Sequence, residues 1–193
     1  MSKIRSERLA AQIEGDFVVF LIGARVNNWW RFRDIYWLAK TMPKMLKELS
    51  DLPSDETGFL GYQMLRMFVN VQYWRSFEAL ETYARSKDHE HFPEWVEFNR
   101  RFKTSRGDVG IWHETYLVKA GAYEAIYSGM PAFGLGKVSE LVPATGNREA
   151  ARQRLRVIRA TALCFTQTPP DRTSPRIWTR HGHRTATGDA PRR

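Results

Sequence analysis

The chain has 193 residues, a formal net charge of +9, a single cysteine, 42% hydrophobic and 13% aromatic residues. Its length fits one domain, its apolar share excludes a wholly disordered chain, and the lone Cys164 excludes both an intrachain disulfide and a cysteine-built zinc site. Residues 159–193 hold +5 of the charge, seven Arg against two Asp, and the other +4 is interspersed with acids, so no nucleic-acid partner is expected.

The first apolar run, "FVVFLIGA" from Phe17, follows Lys3, Arg5 and Arg8, but Glu7, Glu14 and Asp16 interrupt the approach to it. It reads as a strand rather than a signal segment. No run reaches the ~18 apolar residues of a membrane span. The expectation is a cytoplasmic protein, in a reducing compartment and without a membrane partner.

Residues 16–26 form a continuous apolar strand bounded by Gly15 and by Asn27 and Asn28, as a strand buried on both faces requires. From Phe32 to Leu49 apolar residues recur at 32, 35, 38, 39, 42, 45, 46 and 49, one face of a helix. Pro43 should kink that helix or start a second segment. After the turn residues 51–58, the segment 59–76 predicts a hairpin turning near Met67 to Asn70. A helix follows from Phe77 to about Arg85, the pattern resumes at Pro93, and "DVGIWHETYLV" is the last strand.

The order strand-helix-strand-strand-helix-strand over residues 16–118 predicts an α+β, ferredoxin-like βαββαβ fold. Both helices would cover one face of the sheet. Because the strands are apolar at both parities, the other face is expected to pack on a second copy, giving a dimeric α+β barrel with a ligand cavity between the sheets. Residues 1–157 form the expected domain, with its core at 15–118 and a long ordered loop after Val118 draped over the barrel or over the second copy. Residues 158–193, rich in Arg, Thr and Pro, are expected to be a disordered tail.

Familiar catalytic motifs are missing. "GMPAFGLGK" has Pro131 and Val138 where a phosphate loop needs Gly and Ser or Thr, and no GxSxG, HExxH or CxxC occurs. Two places carry candidate chemistry. His89 and His91 form an HxH pair at a helix entry; at His91 the positive end of the macrodipole favours a neutral imidazole, a base or ligand, or else His89 is solvated and His91 simply packs. In the last strand His113 shares a face with Ile111, Thr115 and Leu117, and Glu114 shares the other with Trp112 and Tyr116. With the barrel interior on one side of the strand and the helices on the other, one of His113 and Glu114 looks into the cavity, and parity alone leaves open which. Arg25 and Asn28 at the end of the first strand, with Gln72 and Trp74 in the third, could orient a ligand, and Trp74 could equally be core.

The stretches "GDFVVFLIGARVNNWW", "VQYWRSFEALETYAR", "HFPEWVEFNRR", "GDVGIWHETYLVKAGAYEAIY" and "MPAFGLGK" resemble a bacterial and fungal family described as monooxygenase-like and related to a fumagillin-pathway monooxygenase. The likeness runs from about Gly15 to Leu155. It implies a dimeric α+β barrel and oxygenase chemistry, and His91, Trp95, Asn99, Arg100, Trp112, His113, Glu114, Tyr116 and Tyr123 fall on its recurrent motifs. The chain departs from it after Leu155. The leading expectation is a small-molecule monooxygenase using O2, with His113, His91 and Glu114 as catalytic candidates. Arg25, Asn28, Gln72, Trp74, Trp95, Trp112 and Tyr116 are its substrate-binding candidates, and it has no assigned cofactor and no metal. The alternatives are a haem-binding barrel enzyme, a dehydratase or oxygenase with His91 or His113 as axial ligand, and a noncatalytic small-molecule-binding homodimer.

Overall fold

A four-stranded antiparallel sheet in the order β3-β4-β2-β5 organises the protein. Its strands are β2 (Phe17–Val26), β3 (Phe59–Arg66), β4 (Val69–Trp74) and β5 (Val109–Val118), with β1 (Leu9–Gln12) standing outside it. The computed structural model describes residues 4–86, 91–103 and 107–155, so His89 and the tail expected from residue 158 lie outside the described residues. Helices α1 (Phe32–Asp51), α3 (Phe77–Arg85) and α4 (His91–Phe102) complete the βαββαβ order, with a four-residue turn of helix, α2 (Ser54–Thr57), leading into β3. This is the α+β, ferredoxin-like arrangement that the hydrophobic periods predict.

Strand β2 places Val18, Phe20, Ile22 and Ala24 on one face and Phe17, Val19 and Leu21 on the other. The first set packs under the helices. Val18 and Phe20 meet Leu49 of α1 and Leu80 and Tyr83 of α3, and Ala24 meets Leu38 of α1 and Phe102 of α4. Burying an aliphatic or aromatic side chain of this size contributes about 1.5–3 kcal/mol, so these two clusters hold the helices to the sheet. In α1 the expected positions 38, 42, 46 and 49 are the buried ones. Phe32 departs from that face and is 67% exposed.

Pro43 starts no second segment. Helix α1 runs unbroken through it, with Pro43 on the exposed side, where the carbonyl deprived of its amide donor can turn to water. Asp34 in the first turn accepts from Arg31 Nε at 2.7 Å and Arg101 Nη1 at 3.3 Å, which ties the start of α1 to the end of α4.

Where the sequence reading expects a draped loop and a second copy, the second face of the sheet is covered in part by a second sheet of the same chain. The segment after Val118 is more than a draped loop. It supplies β6 (Ile126–Tyr127) and β7 (Glu140–Pro143), which pair with β1 as a second antiparallel sheet in the order β6-β1-β7. Ala11, Tyr127 and Leu135 of this layer pack on Phe17, Val71 and Tyr73 of the main sheet. Tyr123 clamps the chain before β2, its hydroxyl accepting from Ile13 N at 2.7 Å and donating to Ile13 O at 3.0 Å. The Tyr127 hydroxyl accepts from Gly136 N at 2.8 Å, and a Cβ at Gly136 would stand 2.7 Å from the Tyr127 ring, so only glycine fits there. The short helical turn α5 (Ala151–Arg154) ends the described chain, with Arg154 Nε donating to Glu124 at 2.9 Å. This layer reaches β2, β3 and β4 and the end of β5 at Val118, but Trp112 and Tyr116 of β5 remain exposed.

Candidate active site

Between the helix-side face of the sheet and helices α1, α3 and α4 lies a cavity of about 410 Å³. The sheet contributes its floor through pairings that set the parity of β5: Ala24 lies opposite Ile111, Ile22 opposite His113 and Phe20 opposite Thr115. His113 therefore projects toward the helices, and Glu114 to the far side. The cavity expected between the sheets would lie on the other face, the side of Glu114, so the pocket beneath the helices that His113 meets is not the one the sequence reading places. The His113 ring stacks at a tilt on Phe20, with centroids 5.6 Å apart, and among the described residues it has no hydrogen-bond partner. It lies on an edge strand at the open side of the cavity and is exposed.

The opposite walls are mostly apolar. Trp37, Met42 and Met45 come from α1, Leu80 from α3 and Phe98 from α4. Polar groups interrupt them: Glu81 and Arg85 of α3, paired at 2.8 Å, Thr41 of α1, and Glu94 and Asn99 of α4. Thr41 Oγ1 donates to Glu94 Oε2 at 3.3 Å, Lys44 Nζ stands 3.7 Å from Glu94 Oε1, and Asn99 lies one helical turn beyond Glu94. An apolar cleft with a few convergent polar groups is the usual form of a small-molecule site. It can hold an apolar substrate, present an uncommitted imidazole to it, and hydrogen-bond a substrate polar group from the α4 side.

The segment that carries this cavity is also the segment with a recognisable lineage. A model of the family described as "Monooxygenase af470-like" matches residues 17–135. The chain belongs to the Monooxygenase af470-like family. The match begins at the first residue of β2 and ends in the turn before β7, so β1 and β7 of the second sheet lie outside it. No curated protein matches the sequence. Among solved structures, that of an aldoxime dehydratase is similar at a TM-score of 0.53 and 18% identity, over 72% of this chain and 43% of that one. This chain thus spans less than half the length of that protein, and the likeness is one of fold. A conserved protein of unknown function from Bacteroides thetaiotaomicron VPI-5482 aligns at 17% identity and a TM-score of 0.32, over 54% of this chain and 99% of that one.

The remaining candidates of this family member fall in four places. Trp112, Glu114 and Tyr116 occupy the opposite face of β5, where Tyr116 donates to the Glu114 carboxylate; that bond, with the neighbouring charge, holds the phenol above its ordinary pKa. Gln72 and Trp74 are buried under the helices in a polar relay: Trp74 Nε1 donates to Gln72 Oε1 at 3.1 Å, Gln72 Nε2 to Asn70 Oδ1 at 3.1 Å, and Asn70 Nδ2 to the Met42 sulfur at 3.4 Å. Asn28 is a turn residue, its side chain donating to Asp108 Oδ1 at 3.2 Å and accepting from Trp30 N at 3.1 Å. Arg25, exposed next to the last residue of β2, lies outside the cavity lining.

For His91 and Trp95 only the backbone, within α4, is among the described residues. The cavity adds Thr41, Glu94 and Asn99 to the candidates. Thr41 and Glu94 were not singled out from sequence, and their signal is faint. Thr41 is a polar residue on the apolar stripe of α1, and Glu94 precedes Phe98 by the four residues that put both on one face of a helix.

No helix among the described residues is long and apolar enough to cross a membrane, and none of their side chains cluster in a metal-ligating group.

Proposed function

We propose that this protein is a small-molecule monooxygenase that works in the helix-side cavity, with His113 as its base. The observation that carries the reading is the unpartnered His113 imidazole on the floor of an apolar cleft, in a chain of a monooxygenase-like family. A neutral imidazole with both edges available can take a proton from an acidic C–H or O–H of an electron-rich substrate. The resulting anion gives an electron to O2 that has entered the same cleft, the two radicals combine, and loss of water from the peroxide leaves a carbonyl. In balance, a CH2 group and O2 become C=O and H2O. Asn99 and the Thr41–Glu94 pair, across the cleft, hold a polar group of the substrate so that its acidic hydrogen meets His113.

A haem ligated by His113 is supported less well by the residues. Ligating histidines are usually oriented by an acceptor on the second ring nitrogen. His113 has no such acceptor among the described residues, and Glu94 is engaged with Thr41 and Lys44. Under this reading Glu114, Trp112 and Tyr116 lie on the wrong face of β5 to touch the substrate.

The test combines an absorption spectrum with oxygen uptake. Purified protein is expected to lack a Soret band and to consume O2 when given electron-rich phenols or ketones with an acidic CH2. A Soret band at stoichiometric intensity, with uptake absent, would establish the haem reading instead.

The uncovered side of β5 supports a second proposal, that the protein is a homodimer. Trp112 and Tyr116 are exposed there beside Glu114, next to a layer that covers β2, β3 and β4 and reaches β5 at Val118. An aromatic surface of this kind on an edge strand is one that soluble chains bury against a partner. Light scattering at micromolar concentration should give twice the chain mass, and Trp112→Glu should return it to one. A monomeric parent protein would rule the dimer out.

A further inference from the structure

We infer that the end of the molecule where β2 gives way to α1 docks on an anionic phospholipid surface. The loop "NNWWRFR" carries Trp29, Trp30 and Phe32 at 62%, 85% and 67% exposure, with Trp30 and Phe32 packed edge to face at 6.3 Å. Aromatic side chains so exposed bury little of their apolar surface within the fold. The pairings place a second apolar tip at the same end. Gly23 lies opposite Val69 and Ala24 N donates to Phe68 O, so the β3–β4 turn, with Met67 at 73% exposure, stands at the end of β2 from which the loop departs.

Charge identifies the occupant. Arg25, Arg33, Arg66 and Lys103 are exposed at this end and, among the described residues, have no acidic partner. The acids nearby are already engaged: Asp34 with Arg31 and Arg101, Asp108 with Arg31, and Glu97 with Arg100 and Arg101. Indoles ringed by uncommitted cations match the headgroup region of an anionic bilayer, where tryptophan sits at the interface and each Lys or Arg meets a lipid charge. A second copy is disfavoured, since a two-fold contact through this tip would set the four cations against their own images. Single-stranded nucleic acid is bound along a positive groove with stacked bases, and this surface is a projecting tip.

Two expectations from sequence change with it. The interspersed charge of the body conceals this basic-aromatic stretch, and an expectation of no membrane partner that rests on the lack of a spanning segment does not reach a surface patch. The patch is independent of the proposed chemistry, although α1 begins in it and lines the cavity one turn later with Trp37.

The experiment is co-sedimentation of the full chain with vesicles of phosphatidylcholine alone and of phosphatidylcholine with phosphatidylserine, read together with tryptophan emission and gel-filtration volume. Binding to the phosphatidylserine vesicles, a blue shift on binding, and loss of binding as salt is raised are expected. The double variant Trp29→Ser/Trp30→Ser should lower the bound fraction at limiting lipid by about tenfold. Arg33→Glu/Arg66→Glu should lower it comparably, and neither pair should change the elution volume. The proposal is overturned if the parent chain ignores anionic vesicles or if the tryptophan pair binds them as well as the parent does. It is overturned in favour of a second copy if that pair shifts the elution volume, and in favour of nucleic acid if the same variants lose binding to a single-stranded oligonucleotide but not to lipid.

Discussion

His113→Ala is expected to reduce substrate-dependent oxygen uptake by about 10²–10⁴-fold, the range over which a positioned general base acts. Stability should hardly change. The ring lies on an exposed edge strand, touches Phe20 and leaves no hydrogen-bond partner behind, so its removal should cost within about 0.5 kcal/mol, as surface substitutions usually do. That separation of activity from stability is what distinguishes a base from a core histidine, whose loss would open a cavity or strand a partner. Glu114→Gln is the companion variant. It changes the opposite face with little change in volume and should keep full activity. Should the glutamine variant lose activity at full stability while the alanine variant keeps it, the working side of β5 is the one with Trp112, Glu114 and Tyr116, and the cavity beneath the helices is not the active site.

Trp74→Ala is expected to be the most damaging single change to the fold. The side chain is fully buried, at 0% exposure, with Phe59 and Tyr83 at ring distances of 5.0 and 5.7 Å. Emptying a site of this size costs about 3–5 kcal/mol, a large part of the roughly 5–15 kcal/mol that holds a domain together. In a chain of this length that lowers the melting temperature by about 10 °C or more. Trp74→Phe separates packing from hydrogen bonding. It refills most of the volume but leaves Gln72 Oε1 without the indole donor, and should cost about 1–3 kcal/mol. An alanine variant that melts like the parent and binds substrate poorly would mean that Trp74 lines a ligand site, as the sequence reading allowed, and that the relay through Gln72 and Asn70 is part of it.

Most of the βαββαβ order was legible because it is written in local periods. The apolar run at 16–26 supports a strand regardless of what surrounds it, the stripe at 38, 42, 46 and 49 supports one face of a helix, and the segment 59–76 is too long for one strand. The second sheet was not legible. Strand β1 has four residues and β6 only two, too short to establish a period. They are strands because Leu9 pairs with Tyr127 on one side and Pro143 on the other, across more than a hundred residues of chain. Tyr123 was noted as a motif residue, but its clamp on Ile13 exists only once the chain has closed.

The candidate site divides along the same line. The strand alternation by itself determined that His113 and Glu114 point to opposite faces, since successive side chains of any strand do. The lists of polar residues on apolar strands also included Asn28, Gln72 and Trp74, but composition could not separate a turn residue and a buried relay from a ligand contact. The tertiary structure decided that His113 takes the helix side, because the register of β5 on β2 sets it opposite Ile22, and it brought Thr41, Glu94 and Asn99 across from it. It also left Trp30 and Phe32 in the open, although the sequence placed Phe32 on the buried stripe. The physical reason is one of range. Side-chain alternation and helical period are set by backbone geometry within a few residues, whereas register, cover and exposure depend on which distant surfaces the folded chain brings together.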